Sequence, residues 1–452
     1  MSVIKIKKGL NLPITGSLPK IENISETKKV TKVALLGDDY IGMKPSFEVK
    51  EGDVVKLGQL LFNDKKTPGV KYTAPAAGKV VEINRGEKRK FLSIVIQIEG
   101  NDEITFENFS EGNLLELGRE KVQKVLIDSG MWTSIKSRPF GKVAAPRTTP
   151  HSIFVNLMDT SPLAPPMDLI LKGNENHLVN GVKVLRNLTE GKIFICKSPK
   201  LSLNNFEIKN TEIHDFDGPH PAGLVGTHIH MLDPVSRNKT VWYIGLQDVI
   251  AIGKLFTSGK LDFERVISIA GPGAKNPKVV KTRMGASISE IINGETISGE
   301  IRPIAGSVLN GYDASQEGYG YLGKFHQTVS LIAEGTERKF LGWLLPGSNV
   351  FSVTNAFLAA MFKGKKFNLT TSTNGNERAM VPIGNYEQVT PLDFVPTYLL
   401  RALAVDDVEE AEKLGCLEIE EEDLALCTVV CSSKIDHGKN LRRNLTLIEK
   451  EG

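Results

Sequence analysis

Val49-Lys-Glu-Gly-Asp-Val-Val-Lys-Leu-Gly-Gln-Leu-Leu61, followed by Tyr72-Thr-Ala-Pro-Ala-Ala-Gly-Lys-Val80, is the stretch that decides how the chain begins to fold. Glu51-Gly52-Asp53 predicts a tight turn and Gly58 a second bend, since glycine enters positive-φ conformations without a steric penalty. Pro75 and Gly78 mark the corner of a return strand. Two such halves pack into a flattened β sandwich. Farther on, Ile94, Ile96 and Ile98 alternate with Ser93, Val95 and Gln97, the period of a strand with one buried face. Residues 1–110 therefore read as a β module.

The paired halves resemble a biotinyl-lipoyl-like domain. Carrier domains of that kind hold their modified lysine on a turn between the halves, and Asp64-Lys65-Lys66 occupies that place. Pro68-Gly69 would bend so long a hairpin, so the module is read as scaffold and Lys65 as an unmodified turn residue. Beyond residue 111 helix and strand alternate. Leu114–Ser129 predicts a helix and Ile153–Leu157 a strand; Leu178, Val182 and Leu185 recur at helical spacing. Lys192–Cys196 predicts a second strand, and Val241–Ile244 leads into a helix closed by Gly259. This is the pattern of a small α/β layer domain. Val266–Ala270, the Gly271-Pro-Gly273 turn and paired apolar segments around Ile301 and Val329 then predict a third, β-rich unit. The last hundred residues favour helices: Val405–Leu414 closes at Gly415, and Glu420–Cys431 begins with the acidic residues that suit a helix N-terminus.

Composition narrows the function classes. Among 452 residues, 56 Lys plus Arg against 53 Asp plus Glu leave a net charge of +3, which gives no field for polyanion binding, and nucleic acid is not an expected partner. Four cysteines, Cys196, Cys416, Cys427 and Cys431, are too few and too uneven for a disulfide framework and indicate a reducing compartment. The N-terminus has positive charge but no apolar run of signal-peptide length, so no export is expected. The best membrane candidate, Phe351–Phe362, is short and carries Ser352, Thr354 and Asn355, so no transmembrane segment is expected.

The local motifs are weak. Gly318-Tyr-Gly-Tyr-Leu-Gly323 matches a dinucleotide fingerprint literally but lacks the preceding strand and following helix. Gly271-Pro-Gly-Ala-Lys-Asn-Pro277 has two prolines where a phosphate cradle needs N–H donors. His214, His220, His228 and His230 cluster in sequence with Asp215 and Asp217, and on a strand His228 and His230 would share a face. They are the weak metal candidates, but without a recognised ligand spacing no metal is expected, and the segment is read as a structural or interface loop. Cys427-Thr-Val-Val-Cys431 is too widely spaced for an iron–sulfur ligand set. No nucleophile elbow, Walker loop or zinc-protease motif is present, so no catalytic residue is assigned.

Five blocks taken together, Lys7–Ile14, Ala34–Met43, Lys71–Val80, Gly218–His230 and Asp423–Cys431, resemble the A-subunit family of the sodium-translocating NADH:quinone reductases, over essentially the whole chain. The resemblance implies a biotinyl-lipoyl-like β module at 1–110, a Rossmann-like α/β domain at 111–260, a β-grasp (SLBB-like) domain at 261–335, and a C-terminal helical domain without an iron–sulfur cluster at 336–452. It implies a peripheral subunit on the cytoplasmic face of the bacterial inner membrane, not catalytic alone. Five other subunits, chiefly the membrane-embedded ones, would be its partners in reducing ubiquinone and exporting sodium.

Wider relatives of this architecture, the flavin-binding subunit of complex I and the C subunit of the Rnf complex, carry a glycine-rich flavin and NADH loop after the first helix. Here that place is taken by Asp128–Lys142, with bulky Met131, Trp132 and Ile135 where amides would approach phosphate. No cofactor is therefore expected to be tightly bound. FMN, FAD, riboflavin and iron–sulfur centres would lie on partner subunits, and ubiquinone would be the substrate. A quinone needs an apolar, aromatic slot with one or two donors. The family reading associates two segments with it: Leu36–Met43, with Tyr40 and Met43, and Met131–Lys142, with Trp132, Arg138, Phe140 and Lys142. A purely structural subunit with no quinone contact is the alternative.

Overall fold

The computed structural model describes residues 3–203, 206–337, 344, 346–354 and 356–451; Asn355 of the apolar Phe351–Phe362 stretch lies outside them. The opening β module is built as the turns require, with Gly52 and Gly58 both at positive φ. Strands Lys32–Leu36, Phe91–Ile98, Gly78–Arg85 and Val54–Val55 form one antiparallel sheet, and Pro45–Phe47, Leu60–Asp64 and Lys71–Thr73 a second. Between them Phe62 stacks on Tyr72 at 4.6 Å and meets Phe91 edge-on at 5.4 Å. The alternation along Phe91–Ile98 is only half kept, because Ser93 and Val95 are buried as well. Part of the cover comes from the third unit, whose Gly318 faces Leu92 and Asn84.

The α/β unit holds a seven-stranded sheet in the order Ile4–Lys5, Thr211–Asp217, Lys192–Lys197, Ser152–Leu157, Val241–Gly245, Lys136–Arg138, Lys142–Val143. The first five are parallel, and the last two add an antiparallel hairpin at one edge. Buried on both faces, the central strands read as continuous apolar runs, as parallel strands do. Helices Glu175–Arg186 and Leu246–Ser258 cover one face. They approach so closely that a methyl group on Gly181 would run into the Val249 carbonyl, and one on Gly253 into the His177 carbonyl. The predicted helix over Leu114–Ser129 is instead a 3-10 turn, Glu111–Glu116, and a helix, Arg119–Asp128. Gly118, at φ +77°, breaks them.

The β-grasp-like unit has a six-stranded sheet in which Ile301–Ala305 pairs antiparallel with Thr328–Ala333, as the apolar segments around Ile301 and Val329 predict. The C-terminal unit packs Pro396–Ala404, Val408–Lys413, Ala425–Val430 and His437–Glu451 around Leu399, Leu403, Leu424, Leu441 and Leu445. Its helix at 405–414 starts three residues later than predicted. Val405 ends the preceding helix, and the Asp407 side chain accepts the Glu410 N–H at 3.1 Å as the true cap. The acidic start at Glu420 is a capping box with Asp423.

Residues before the first module strand do not stay with it. Ile4–Lys5 joins the α/β sheet beside Phe216 and Asp217, and Glu26–Thr27 joins the β-grasp sheet beside Val280 and Lys281. Between these, Gly9 N–H donates to Gln388 O of the helical unit at 3.0 Å. Among the described residues, no helix is long and apolar enough to cross a membrane.

The helix pair gives a direct test of this packing. Gly253→Ala is expected to lower stability by about 1–3 kcal/mol through overpacking, while Gly112→Ala, with open space around it, is expected to be near neutral. Urea unfolding followed by the fluorescence of Trp132 and Trp242 measures both.

Candidate functional site

A cleft of about 1870 Å³ opens where all four units meet. The β module contributes Gly37–Pro45, the α/β unit its edge hairpin, the β-grasp unit residues 309–312 and 325–326, and the helical unit parts of 420–450. The first wall follows from the strand Lys32–Leu36, which ends in a 3-10 turn, Gly37–Asp39. Gly37 lies against the Phe91 carbonyl, where no side chain would fit. That turn delivers Tyr40 to the cleft with its ring edge-on to Tyr72 at 4.7 Å and to Phe325 at 6.3 Å. Lys136 from the hairpin lays its ammonium over the Phe325 ring at 4.1 Å.

The hairpin Lys136–Val143 is held by a fully buried guanidinium. Arg138 Nη1 donates to Glu418 O and to Asp423 Oδ2, both at 2.7 Å, and Nε lies 3.1 Å from Glu420 Oε1. Glu422 Oε1 lies 3.7 Å from Nη2. Tyr243, on the neighbouring strand, donates its hydroxyl to Glu420 at 2.7 Å. Burial alone would lower the guanidinium's pKa, but the Asp423 and Glu420 carboxylates overcome it and hold the charge more firmly than in water. The carboxylates divide in response. Despite burial, Glu420 is kept below its ordinary range by the charges of Arg138 and Lys136. Glu422 is pushed up to about 8, by burial first and then by Asp423 and Glu420.

At the hairpin tip Phe140 takes φ +82°, a left-handed conformation that non-glycine residues adopt at some strain. Its carbonyl accepts from Arg442 Nη1 at 2.7 Å, and Arg442 pairs through two bonds of 2.6 Å with Glu421. Lys142 Nζ donates to Glu449 at 2.5 and 2.6 Å. The tip is thus clamped onto the last helix, with the Phe140 side chain against the helical core.

On the opposite floor sits a polar group that sequence reading missed. Asp39 is almost fully buried and its Oδ2 accepts the Lys324 N–H at 2.9 Å. Burial raises its carboxyl to about 6, against the Lys324 hydrogen bond and the charges of Lys136 and Lys324. Lys324 is lowered to about 8 by burial and donates to Thr133 Oγ1 at 2.8 Å. His326 is lowered to about 4, by burial and then by Lys136. Asp39 and Lys324 lie far apart along the chain, so no local pattern announces them. The one available signal was the acidic pair Asp38-Asp39 at a strand end.

Of the residues expected to touch quinone, the structure brings Tyr40, Met43, Phe140 and Lys142 onto one cleft. Trp132 and Arg138 are fully buried and do not reach its wall. Trp132 donates its indole N–H to Ala144 O at 2.7 Å and packs edge-on to Trp242 at 5.4 Å. The turn Met131–Ser134 is enclosed throughout, with all four of its residues buried.

The four histidines are not brought together. His228 and His230 lie on a helix, Val225–Leu232, not on a strand, so two residues of separation turn them to different sides. The extended run ends at Asp217, and the chain turns through Pro219, Pro221 and Gly223 before the helix starts. His214 lies 3.3 Å from Glu212; His220 meets Thr160 Oγ1 at 3.2 Å; His228 bonds to Ala222 O at 2.9 Å. His230 Nδ1 lies 2.7 Å from Glu418, and its Nε2 accepts the Asp393 N–H. Cys427 and Cys431 are buried beside Thr390 and Tyr386, within the apolar core of the helical unit. Among the described residues no group of three His, Cys, Asp or Glu is placed to hold a metal.

Three family descriptions match in succession: an NqrA N-terminal barrel-sandwich hybrid domain over 4–99, an NqrA second alpha/beta domain over 117–261, and an NQRA C-terminal domain of SLBB type over 266–316. Full-length relatives are named as the A subunit of the Na(+)-translocating NADH-quinone reductase. Those of Histophilus somni (strain 2336) and Alcanivorax borkumensis are each 52% identical, and that of Vibrio parahaemolyticus 51%, all covering 100% of both chains. An NAD+-reducing [NiFe]-hydrogenase of known structure is similar at 12% identity and TM-score 0.36, covering 49% of this chain and 48% of that one.

Two outcomes test the clamp. Arg138→Met leaves three carboxylates without their buried cation and is expected to weaken docking of the helical unit by about 3–5 kcal/mol, read as faster hydrogen exchange in His437–Glu451. The second concerns Glu422, which holds a proton in the folded state from its ordinary 4.5 up to about 8 that the unfolded state has lost. Its contribution to stability therefore falls as pH rises through that window. Glu422→Gln is expected to flatten the stability slope between pH 5 and pH 8 in chemical denaturation.

Proposed function

The chain belongs to the family of A subunits of the Na(+)-translocating NADH-quinone reductase, and from that premise we propose that it positions the quinone while partner subunits supply electrons and move sodium. The observation that carries this reading is the convergence of Tyr40, Met43, Phe140 and Lys142, from two separate segments, on the one cleft where all four units meet. Sites between domains are where small apolar ligands most often bind. Phe325, backed by the buried Tyr40, and the partly exposed Phe140 give aromatic surface for a planar head group, and Met43 a polarisable, adaptable contact. Trp132 and Arg138 act from behind: the first fixes the turn before the hairpin, the second fixes the hairpin against the helical unit.

In this reading the chain is peripheral and sits on the cytoplasmic face of the bacterial inner membrane, in keeping with the want of a spanning helix among its described residues. Its partners are the five other subunits of the complex. Flavins and iron–sulfur centres on those partners carry electrons from NADH, and the residues of this chain orient ubiquinone and exclude water from it. The second reading, a structural subunit without quinone contact, draws on the use of Arg138, Phe140 and Lys142 as domain clamps.

A photoreactive quinone bound to the assembled complex separates the two. Cross-links at residues 37–45 and 136–142 are expected, together with an approximately tenfold rise in quinone KM for Met43→Ala and Phe140→Ala, about 1.4 kcal/mol of lost binding. Labelling confined to partner subunits, with unchanged KM in both variants, establishes the structural reading instead.

A further inference from the structure

Quinone reduction needs protons as well as electrons, and this inference rests on the proposed quinone cleft. The floor of that cleft holds two proton-carrying side chains on either side of one glycine. A Cβ on Gly323 would lie 2.7 Å from Asp39 Oδ1 and 2.6 Å from His326 Nδ1, so both atoms face the space that the missing side chain leaves. On its other side the His326 ring lies against Gly306, where a Cβ would meet Cδ2 at 2.9 Å and Nε2 at 3.1 Å. Tyr312 meets the ring edge-on at 5.0 Å. The imidazole is thus held in a slot between two glycines. Its Nδ1 is buried and has no hydrogen-bond partner, an unusual state for a polar atom in a packed interior. Asp39 and His326 both line the cleft.

This arrangement also gives Gly318-Tyr-Gly-Tyr-Leu-Gly323 a physical role that is not nucleotide binding. Its last glycine is required by the approach of a carboxylate and an imidazole. Its Tyr319 donates to Asp38 Oδ2 at 2.7 Å, where Lys90 also binds, so Asp38 is engaged and Asp39 is the acid left facing the floor.

We propose that Asp39 is the proton donor to one quinone oxygen and that His326 relays protons to it from solvent. Two electrons reach the quinone from NADH through reduced flavins on partner subunits. One carbonyl oxygen gains its O–H bond as the Asp39 carboxyl breaks its own, the other takes its proton from water in the cleft, and the carboxylate left behind takes the His326 Nδ1 proton as Nε2 of the same ring accepts one from water. The imidazole is replenished by water, so one quinol consumes two solvent protons and two electrons. The groups facing the pair are Asp38 and Tyr40 at the same turn, Lys136 from the hairpin, and Lys324 and Tyr312 from the β-grasp unit; beyond Tyr312 stand Tyr319 and Glu421, and behind Lys324 stand Asp248 and Arg265. Asp39, raised to about 6 by burial, takes and gives a proton near neutral pH, and His326, lowered to about 4 by burial, stays neutral and can pass a proton between its ring nitrogens.

The test uses the assembled complex carrying Asp39→Asn, Asp39→Glu or His326→Gln, assayed for quinone reduction from pH 6 to 9 in water and in deuterium oxide, beside the photoreactive-quinone labelling. The expected result is a tenfold or greater fall in kcat for Asp39→Asn with KM within twofold, and recovery of most of the rate in Asp39→Glu. His326→Gln is expected to lose about tenfold, with a larger solvent isotope effect. Cleft labelling with kcat within twofold of wild type in Asp39→Asn and His326→Gln overturns the proton relay alone. A rise in KM without loss of kcat makes Asp39 a binding group and overturns it too. Absence of cleft labelling overturns the quinone reading, and the relay with it.

Discussion

One buried guanidinium organises the molecule. Arg138 stands on the second strand from one edge of the α/β sheet, yet its partners Glu418 O, Asp423, Glu420 and Glu422 belong to the helical unit. A charge cannot be left alone in a dry interior, so wherever Arg138 goes those carboxylates must follow. Their reach is short, which sets the helical unit at one distance from the hairpin, and Phe140, Lys142 and Arg442 complete the joint. The cleft is what remains between surfaces fixed in this way. Its width is a consequence of an ion cluster whose carboxylates Glu420 and Glu422 line it while the guanidinium stays behind the wall.

The other walls obey a different constraint. Where the β module, the hairpin and the β-grasp unit meet, the contacts are glycine against backbone and aromatic edge against aromatic face. Gly37 against Phe91, Gly323 between Asp39 and His326, and Tyr40 between Tyr72 and Phe325 are all close approaches with little room for adjustment. Native interiors packed in this way transmit displacements and do not absorb them. A small shift of the hairpin is therefore felt by Lys136 over Phe325, and through Phe325 by Tyr40.

Much of this was legible in the residues. The glycine-punctuated halves of the β module, the apolar parallel strands, the helix closed by Gly259 and the acidic cap at Glu420 each rest on local rules, and each is where those rules put it. The Tyr40 and Phe140 segments could be named from resemblance, but their meeting could not, since it depends on how four units dock. The four histidines stay apart because an i, i+2 repeat is a face only on a strand, and the glycines and prolines of 218–223 lead into a helix. Asp39, Lys324 and His326 were hidden for the same reason as the cleft: a buried charge is recognised by what surrounds it. Their surroundings are assembled from Lys136 on the hairpin and Thr133 on the turn before it.

The first thirty residues carry a temporal consequence. Ile4–Lys5 is an edge strand of a sheet whose adjoining member, Thr211–Asp217, is translated far later, and the Gln388 carbonyl that receives Gly9 later still. At about 5–20 residues per second the segment waits on the order of tens of seconds outside the ribosome before its acceptor exists. The β module can close in the meantime, because its own strands are contiguous. The leading segment cannot, because its acceptors at Phe216, Val280 and Gln388 are all made after it. A segment made early is thus held by contacts that can form only late.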